Sequence, residues 1–266
     1  MIRLSVGWKI QRLNWRFRKS NEFLNIDFKL VKPKQKNKTM SLTLLALSLA
    51  PGIAIAIYFY MKDKHEKEPL QAIVFSFCLG CLSVIPAILL EKLFMNYFPS
   101  DNMNIPLTLI NAFIFVAGAE ELSKYFMLRY YFKTPNFNEP YDGIFYGVII
   151  SLGFAAVENI SYVMEGGFSV DLLRMFTAVP AHAIFGAIMG YYFGLAWQDK
   201  KNKTLYMLRG LVTAIILHGT YDFFLFQQNY PALGFVSILG VFLCWKLVTK
   251  AINTHDNNSP HDVSPD

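Results

Sequence analysis

Ionisable side chains recur inside four successive apolar stretches of this sequence. The first stretch, NAFIFVAGAEELSKYFML, carries Glu120 and Glu121 side by side with Lys124 close behind. The next three stretches contribute, in order, Glu158 beside Asn159, then His182, and then His218 with Asp222. A carboxyl group in apolar surroundings can act as a general base or acid, and an imidazole can bind a metal ion or donate to a developing oxyanion. Together these groups suit the activation of water for attack on an amide.

Helical spacing brings several of these groups together. His218 and Asp222 are four residues apart and share a helix face, so the Asp222 carboxylate can orient the imidazole and fix its tautomer. Glu120 and Lys124 have the same spacing, whereas Glu121 points about 100° further round the helix. We therefore expect Lys124 to neutralise one carboxylate and to leave the other free.

His182 begins a row of small residues at four-residue intervals, Gly186, Gly190 and Gly194. Such a row lets a neighbouring helix approach closely, so we expect His182 to face protein rather than lipid. Pro180 lies just before it and lacks a backbone N–H, so we expect the helix to open locally there.

The elements that must hold these groups are transmembrane helices. The chain has 266 residues, of which 54% are hydrophobic and only 17% are charged, whereas soluble domains carry roughly 25% charged residues. A membrane-spanning helix needs about 20 mostly apolar residues. Such stretches lie near residues 41–60, 70–94, 105–128, 141–164, 171–197, 205–226 and 231–249. They lack the period-two alternation of barrel strands, so we predict an all-α, polytopic helical membrane bundle with about seven transmembrane helices.

The chain divides into a basic N-terminal segment, 1–39, a single transmembrane domain, 40–252, and a tail, 253–266, that is predicted to be disordered. Lysine and arginine concentrate after the first, third and fifth spans and at the C-terminal end, so these parts are expected to be cytoplasmic. That orientation puts the N-terminus outside, which conflicts with its basic character. We favour a start at Met40; the alternative is a basic segment lying on the membrane, with six or eight spans.

Several classes of partner are not indicated by the sequence. It contains no Gly-rich phosphate loop, zinc-binding cysteine pattern or nucleic-acid module, so we expect neither a nucleotide nor a nucleic acid as partner. The net charge of +6 comes mostly from the N-terminal segment and from membrane-proximal lysines. It therefore indicates contact with the headgroups of the lipid bilayer.

Four short motifs occur in order along these stretches: AEELSK, FAAVEN, PAHAIFG and HGTYDF. Together they resemble the PrsW family of intramembrane proteases, distant relatives of the CAAX prenyl endopeptidases and bacteriocin-immunity proteins. The resemblance covers about residues 41–226. The CAAX branch typically has E-E-x-x-x-R, whereas this chain has E-E-x-x-K, ending at Lys124, which is the PrsW pattern. It implies a multi-pass protease of the bacterial cytoplasmic membrane that cuts a membrane-anchored protein, such as an anti-sigma factor.

The resemblance also implies that Glu120, Glu121 and His218 are essential, with Glu158 and His182 in the same site. Two mechanisms remain open. In a metal-free version, one of the paired glutamates takes a proton from water while one of the histidines steadies the oxyanion. In a zinc version, His182, His218 and Glu158 hold the ion with one open position, and the paired glutamates supply the base. The chain has no H-E-x-x-H motif, which favours the metal-free version.

Two non-enzymatic functions use the same residues. Buried carboxylates and imidazoles can carry protons or bind a cation in a transporter, although the sequence shows no internal repeat of the kind that many transporters have. The second is an immunity or scaffold protein that keeps the fold and has lost activity.

Overall fold

The computed structural model of the protein describes residues 42–97, 104–166, 172, 174–227, 230–256 and 258–260. The basic segment 1–39 and the expected start at Met40 lie outside the described residues, as do residues 261–266. Within the described ranges the regular elements are helices, and no strand occurs there.

The helices follow one another along the chain with short connections. In chain order they are α1 Leu42–Lys62, α2 Leu70–Tyr97, α3 Ile105–Ile110, α4 Ala117–Tyr131, α5 Pro140–Gly166, α6 Ala178–Gln198, α7 Lys203–Leu225 and α8 Gly234–Asp256. A six-residue π-helix, Asn111–Val116, joins α3 to α4. Each stretch predicted to span the membrane therefore coincides with helical structure.

Five described stretches are long and apolar enough to cross a membrane. They are Leu70–Phe94, Ile105–Tyr131, Pro140–Tyr162, Arg174–Gln198 and Gly234–His255. A shorter apolar stretch, Ser48–Lys62, belongs to α1. The all-α polytopic bundle predicted from the sequence is confirmed, while the number of seven spans stays a prediction.

Helices α5 and α6 pack against each other through glycines at the centre of the bundle. A Cβ atom on Gly190 would lie 2.6 Å from the backbone carbon of Gly143 and 2.9 Å from the Cα of Ile144. One on Gly147 would lie 3.3 Å from the backbone carbon of Gly186. The small-residue row predicted on α6 therefore meets a second row on α5, and the two backbones touch.

The π-helix lies immediately before the paired glutamates and packs against α7. A Cβ atom on Gly219 would lie 2.6 Å from the ring of Phe113, a π-helix residue. Because Gly219 has no side chain, α7 can approach the π-helix closely and bring the adjacent His218 toward α4. Short π-helical segments inside α-helices are frequent at functional sites.

The chain breaks just before α6, at Thr177, where the backbone angles are φ −122° and ψ −70°. Pro180 follows in the first turn of α6. Residues in a first turn have no helical partner for the backbone N–H, so Pro180 removes no hydrogen bond from α6. The local opening expected from this proline therefore takes the form of a break before the helix.

The last helix, α8, continues to Asp256, beyond Asn253, where the predicted tail begins. His255 is fully buried, its Nε2 lies 2.8 Å from the carbonyl oxygen of Tyr191, and the two rings stack. The contacts of this imidazole stabilise helical structure in a segment whose polar composition indicated disorder. Residues 253–256 are thus part of the folded domain.

Filling the contact between α5 and α6 should destabilise the protein. Gly190→Val is expected to lower the free energy of unfolding by about 1–3 kcal/mol, since the added methyl groups meet backbone that cannot move aside. Gly240→Val on α8 is the matched control, because no atom lies within 4 Å of its Cβ position. Thermal unfolding in detergent measures both variants, and equal melting temperatures would show that the glycine contact contributes nothing.

Candidate intramembrane active site

The ionisable residues of the four apolar stretches converge inside the bundle. Helix α4 supplies Glu120, Glu121 and Lys124, α5 supplies Glu158 and Asn159, α6 supplies His182, and α7 supplies His218 and Asp222. All of these side chains are buried except that of Glu158, which is 19% exposed. The structure therefore brings together the whole set that helical spacing and motif order singled out.

The ammonium group of Lys124 lies at the centre of this cluster. Its Nζ is 2.7 Å from Glu121 Oε1, 3.3 Å from Glu120 Oε2 and 3.2 Å from His182 Nδ1. An ammonium has three N–H donors, and each has one acceptor here. The expectation that Lys124 neutralises one carboxylate and leaves the other free is wrong, because positions three and four residues before a lysine both lie on its helix face.

The imidazole of His218 is held between carboxylates. Its Nδ1 lies 2.8 Å from Glu121 Oε1, and its Nε2 lies 3.3 Å from Asp222 Oδ2 and 4.0 Å from Glu120 Oε2. The contact with Asp222 is the one expected from their spacing. Phe185 stacks on the ring with 4.9 Å between the centroids. Since carboxylates only accept hydrogen bonds, the ring can donate from both nitrogens only when both carry protons.

The imidazole of His182 has a fixed tautomer. Its Nε2 lies 2.8 Å from Glu158 Oε2, and its Nδ1 faces the ammonium of Lys124. A carboxylate accepts and an ammonium only donates, so the proton is on Nε2 and the lone pair is on Nδ1. His182 therefore accepts a hydrogen bond from Lys124 at Nδ1 and donates one to Glu158 at Nε2.

Arg174 also reaches this cluster, and the sequence analysis did not assign it to the site. Its Nη2 lies 2.9 Å from Glu158 Oε2. Arg174 lies near the end of an apolar stretch, where charges are ordinary. One signal could have identified Arg174, namely that it is the sole lysine or arginine between Lys133 and Lys200.

Part of the cluster resembles a metal-binding set. Four residues each offer a ligand atom, and these atoms lie within 4.8 Å of one another: Glu120, Glu121, His182 and His218. The Oε2 atom of Glu121 is buried and has no hydrogen-bond partner among the described residues. Imidazole nitrogens and carboxylate oxygens are ligands that zinc accepts. Glu158, expected as a zinc ligand, lies outside this group and contacts Arg174 and His182 instead.

The position of Lys124 decides whether the set fits a metal ion. Its ammonium contacts three of the four candidate ligands, namely those on Glu120, Glu121 and His182. A metal ion bound by the same atoms would be a few ångströms from this positive charge, at a place of low dielectric where the repulsion is strong. With Lys124 in this position, the residues do not fit a metal ion.

Removing the central ammonium should leave two buried carboxylates uncompensated. Lys124→Met is expected to lower the free energy of unfolding by about 3–5 kcal/mol, the usual effect of removing one partner of a buried ion pair. Adding Glu121→Gln to this variant removes one of the two negative charges and should restore part of the lost free energy of unfolding. The control is Lys92→Met on α2, where the lysine is exposed. Unfolding in detergent measures all three variants, and a stable Lys124→Met single variant would contradict the central role of the ammonium.

Comparison with known proteins agrees with this site. Residues 68–248 match the model of the PrsW family intramembrane metalloprotease. The chain is 32% identical over 206 residues to Protease PrsW of Geobacillus kaustophilus, covering 77% of this chain and 89% of that protein. It is 37% identical over 200 residues to Protease PrsW of Oceanobacillus iheyensis, covering 75% and 89% of the two chains. For Protease PrsW of Bacillus subtilis the identity is 34% over 196 residues, covering 72% and 86%.

No solved structure matches the chain. The family match begins before α2 and ends within α8, so it includes every residue of the site described above. The extent of this match and the identity to several relatives show that the chain belongs to the PrsW family of intramembrane proteases.

Proposed function

We propose that this protein is an intramembrane endopeptidase that hydrolyses a peptide bond of a membrane-anchored protein substrate. The observation that carries the proposal is the buried network in which the Lys124 ammonium joins two carboxylates and an imidazole. Such a network supplies a base, a proton donor and a fixed positive charge where water is scarce. The relatives reported above are named proteases, which supports the same reaction here.

We assign the role of general base to Glu120. The Glu121 carboxylate accepts close hydrogen bonds from Lys124 at 2.7 Å and from His218 at 2.8 Å. Glu120 has looser contacts, 3.3 Å to Lys124 Nζ and 4.0 Å to His218 Nε2. Its carboxylate therefore has more freedom to accept a proton from water, while Glu121 holds Lys124 and His218 in place.

We assign stabilisation of the oxyanion to His218. Its Nε2 lies 3.3 Å from Asp222 Oδ2 and 4.0 Å from Glu120 Oε2, and Asp222 Oδ2 accepts no hydrogen bond from the described residues. A carbonyl attacked by water beside Glu120 would therefore be near a donor that no close hydrogen bond occupies. His182 is less suited to this role because its Nε2 proton is directed at Glu158 and its Nδ1 accepts from Lys124. This assignment chooses between the two histidines that the sequence left open.

The reaction then proceeds by proton transfer through Glu120. The oxygen of water bonds to the carbonyl carbon of the substrate while Glu120 takes the proton, and the negative charge develops on the carbonyl oxygen. Glu120 then gives the proton to the amide nitrogen as the C–N bond breaks. The fixed charge of Lys124 stabilises the anionic stage.

The protein is a bacterial membrane protein, as its relatives and the five long apolar helices among the described residues indicate. We further propose that it is a multi-pass protein of the cytoplasmic membrane with its C-terminus in the cytoplasm. The basis is the positive-inside rule, with Lys133, Lys200, Lys246 and Lys250 on one side. As the substrate we propose a membrane-anchored regulator of the anti-sigma-factor kind.

Single substitutions at the site should slow cleavage strongly while leaving the fold intact. Glu120→Gln, Glu121→Gln and His218→Ala are each expected to lower the rate by about 10²- to 10⁴-fold, the usual effect of losing an acid–base group. Cleavage of a membrane-anchored reporter in bacterial cells measures the effect, with membrane abundance followed by immunoblot. Glu66→Gln and His65→Ala, in the loop after α1, are the matched controls. If Glu120→Gln and His218→Ala both cut the reporter at the wild-type rate, the site is wrongly assigned.

We propose that no metal ion takes part in the reaction, although the family description names a metalloprotease. The reason is the contact of the Lys124 ammonium with three of the four candidate ligands. Proteolysis by the purified protein is therefore expected to persist at full rate in EDTA or 1,10-phenanthroline. Elemental analysis of the same preparation provides the independent measurement. One zinc ion per chain, together with loss of activity in chelator and recovery on adding zinc, would refute the metal-free mechanism.

A further inference from the structure

We propose that Arg174 is a positioning residue for hydrolysis: it holds Glu158 against His182 and so fixes the ring that accepts a hydrogen bond from Lys124. The inference rests on the proposed function, because His182 is part of that site. Arg174 lies at the start of the apolar stretch that contains α6, before the break at Thr177.

The guanidinium of Arg174 has polar partners in its plane and an aromatic ring against its face. Its Nη2 lies 2.9 Å from Glu158 Oε2, and its Nε donates to Asn159 Oδ1 at 2.9 Å. The ring of Tyr162 lies 3.9 Å from the guanidinium carbon. Arginine suits such a place because its planar group can hydrogen-bond in its plane while stacking on an aromatic ring. The side chain is only 15% exposed.

Glu158 links Arg174 to His182 through a single oxygen atom. The same oxygen atom, Oε2, contacts Arg174 Nη2 at 2.9 Å and His182 Nε2 at 2.8 Å. The guanidinium is always charged and compensates the carboxylate, so Glu158 can only accept from the imidazole. The proton is thereby kept on Nε2, and the lone pair on Nδ1 is directed at Lys124.

The location of Arg174 in the sequence also argues for a specific role. It is the sole lysine or arginine between Lys133 and Lys200. It therefore belongs to the side of the membrane that the positive-inside rule leaves poor in basic residues. Its side chain is only 15% exposed, and a charge so far removed from water needs a compensating partner. Here that partner is the carboxylate of Glu158.

The alternative is that Arg174 has a purely structural role, and an experiment must distinguish that role from the positioning of His182. Asn159, which accepts from Arg174, donates to the backbone of Ser48 on α1. Arg174 could therefore simply join α1 and α5 to the beginning of α6. That role predicts a loss of stability but no change in the protonation pattern of His182.

The first test is kinetic and uses the full-length protein in detergent with a cleavable membrane-anchored substrate. Arg174→Gln is expected to lower kcat roughly 10- to 100-fold, the usual effect of losing a partner that orients a site residue, with KM changed less than about threefold. Arg174→Lys keeps the charge and should restore part of kcat. The control is Arg129→Gln at the end of α4, where the arginine is exposed. A wild-type kcat in Arg174→Gln, or an effect confined to KM, would overturn the proposal.

The second test does not require protease activity. Nitrogen-15 NMR of histidine-labelled protein, with His182 assigned by its loss in His182→Gln, reports which ring nitrogen carries the proton. The wild type is expected to show the Nε2–H tautomer alone. In Arg174→Gln the Glu158 carboxylate loses its compensating charge; where it takes up a proton it donates to Nε2, the imidazole proton moves to Nδ1 and the contact with Lys124 is lost, so a mixture of tautomers is expected. If no proteolysis were found in any variant, the proposed function would fail while this measurement still decided the role of Arg174.

A double variant covers the case in which Arg174→Gln does not fold. Arg174→Gln with Glu158→Gln removes both charges of the pair and leaves no unpaired buried ion. The amide at position 158 can present either its oxygen or its NH₂ group to His182. Where the amide presents its NH₂ group, the imidazole accepts at Nε2, carries its proton on Nδ1 and gives up the contact with Lys124. The double variant is therefore expected to fold and to show both tautomers. If it or Arg174→Gln keeps the wild-type tautomer, Arg174 does not position His182.

Discussion

The Lys124 ammonium is the charge on which the rest of the site depends. Two carboxylates buried side by side, Glu120 and Glu121, would repel each other strongly in surroundings of low dielectric. The ammonium lies within 3.3 Å of both and is itself only 1% exposed. Because the third N–H of the ammonium donates to His182, Lys124 also links α4 to α6. Any change that moves this group alters three other residues at once, so the site behaves as one unit.

The scaffold places the partners of this ammonium with little freedom. Glycines let α5 and α6 touch through their backbones, which sets the distance between Glu158 and His182. Gly219 allows α7 to pack on the π-helix, which brings His218 to Glu121. Glycine contacts of this kind are how membrane helices approach closely in the absence of a hydrophobic force between them. The same contacts that stabilise the bundle therefore determine the geometry of the site.

Much of the site could be predicted from the sequence, because ionisable residues in apolar stretches have few alternatives to meeting one another. The helices follow from length and composition, and the contact between His218 and Asp222 follows from their spacing of four residues. Contacts between helices could not be predicted in this way. The pairing of Arg174 with Glu158 and the place of Glu158 behind His182 depend on how α5 and α6 are rotated. The extension of α8 to Asp256 depends on His255 packing against Tyr191, which composition does not reveal.

An experimental density map of the wild-type protein, purified without chelators at a resolution that shows side chains, tests the arrangement around Lys124 most directly. We expect the lysine side chain to extend between Glu120, Glu121 and His182, with its Nζ within hydrogen-bonding distance of all three. Density for a metal ion among these residues, with the lysine turned away, would contradict the account. So would carboxyl groups and imidazole rings facing lipid on separate sides of the bundle.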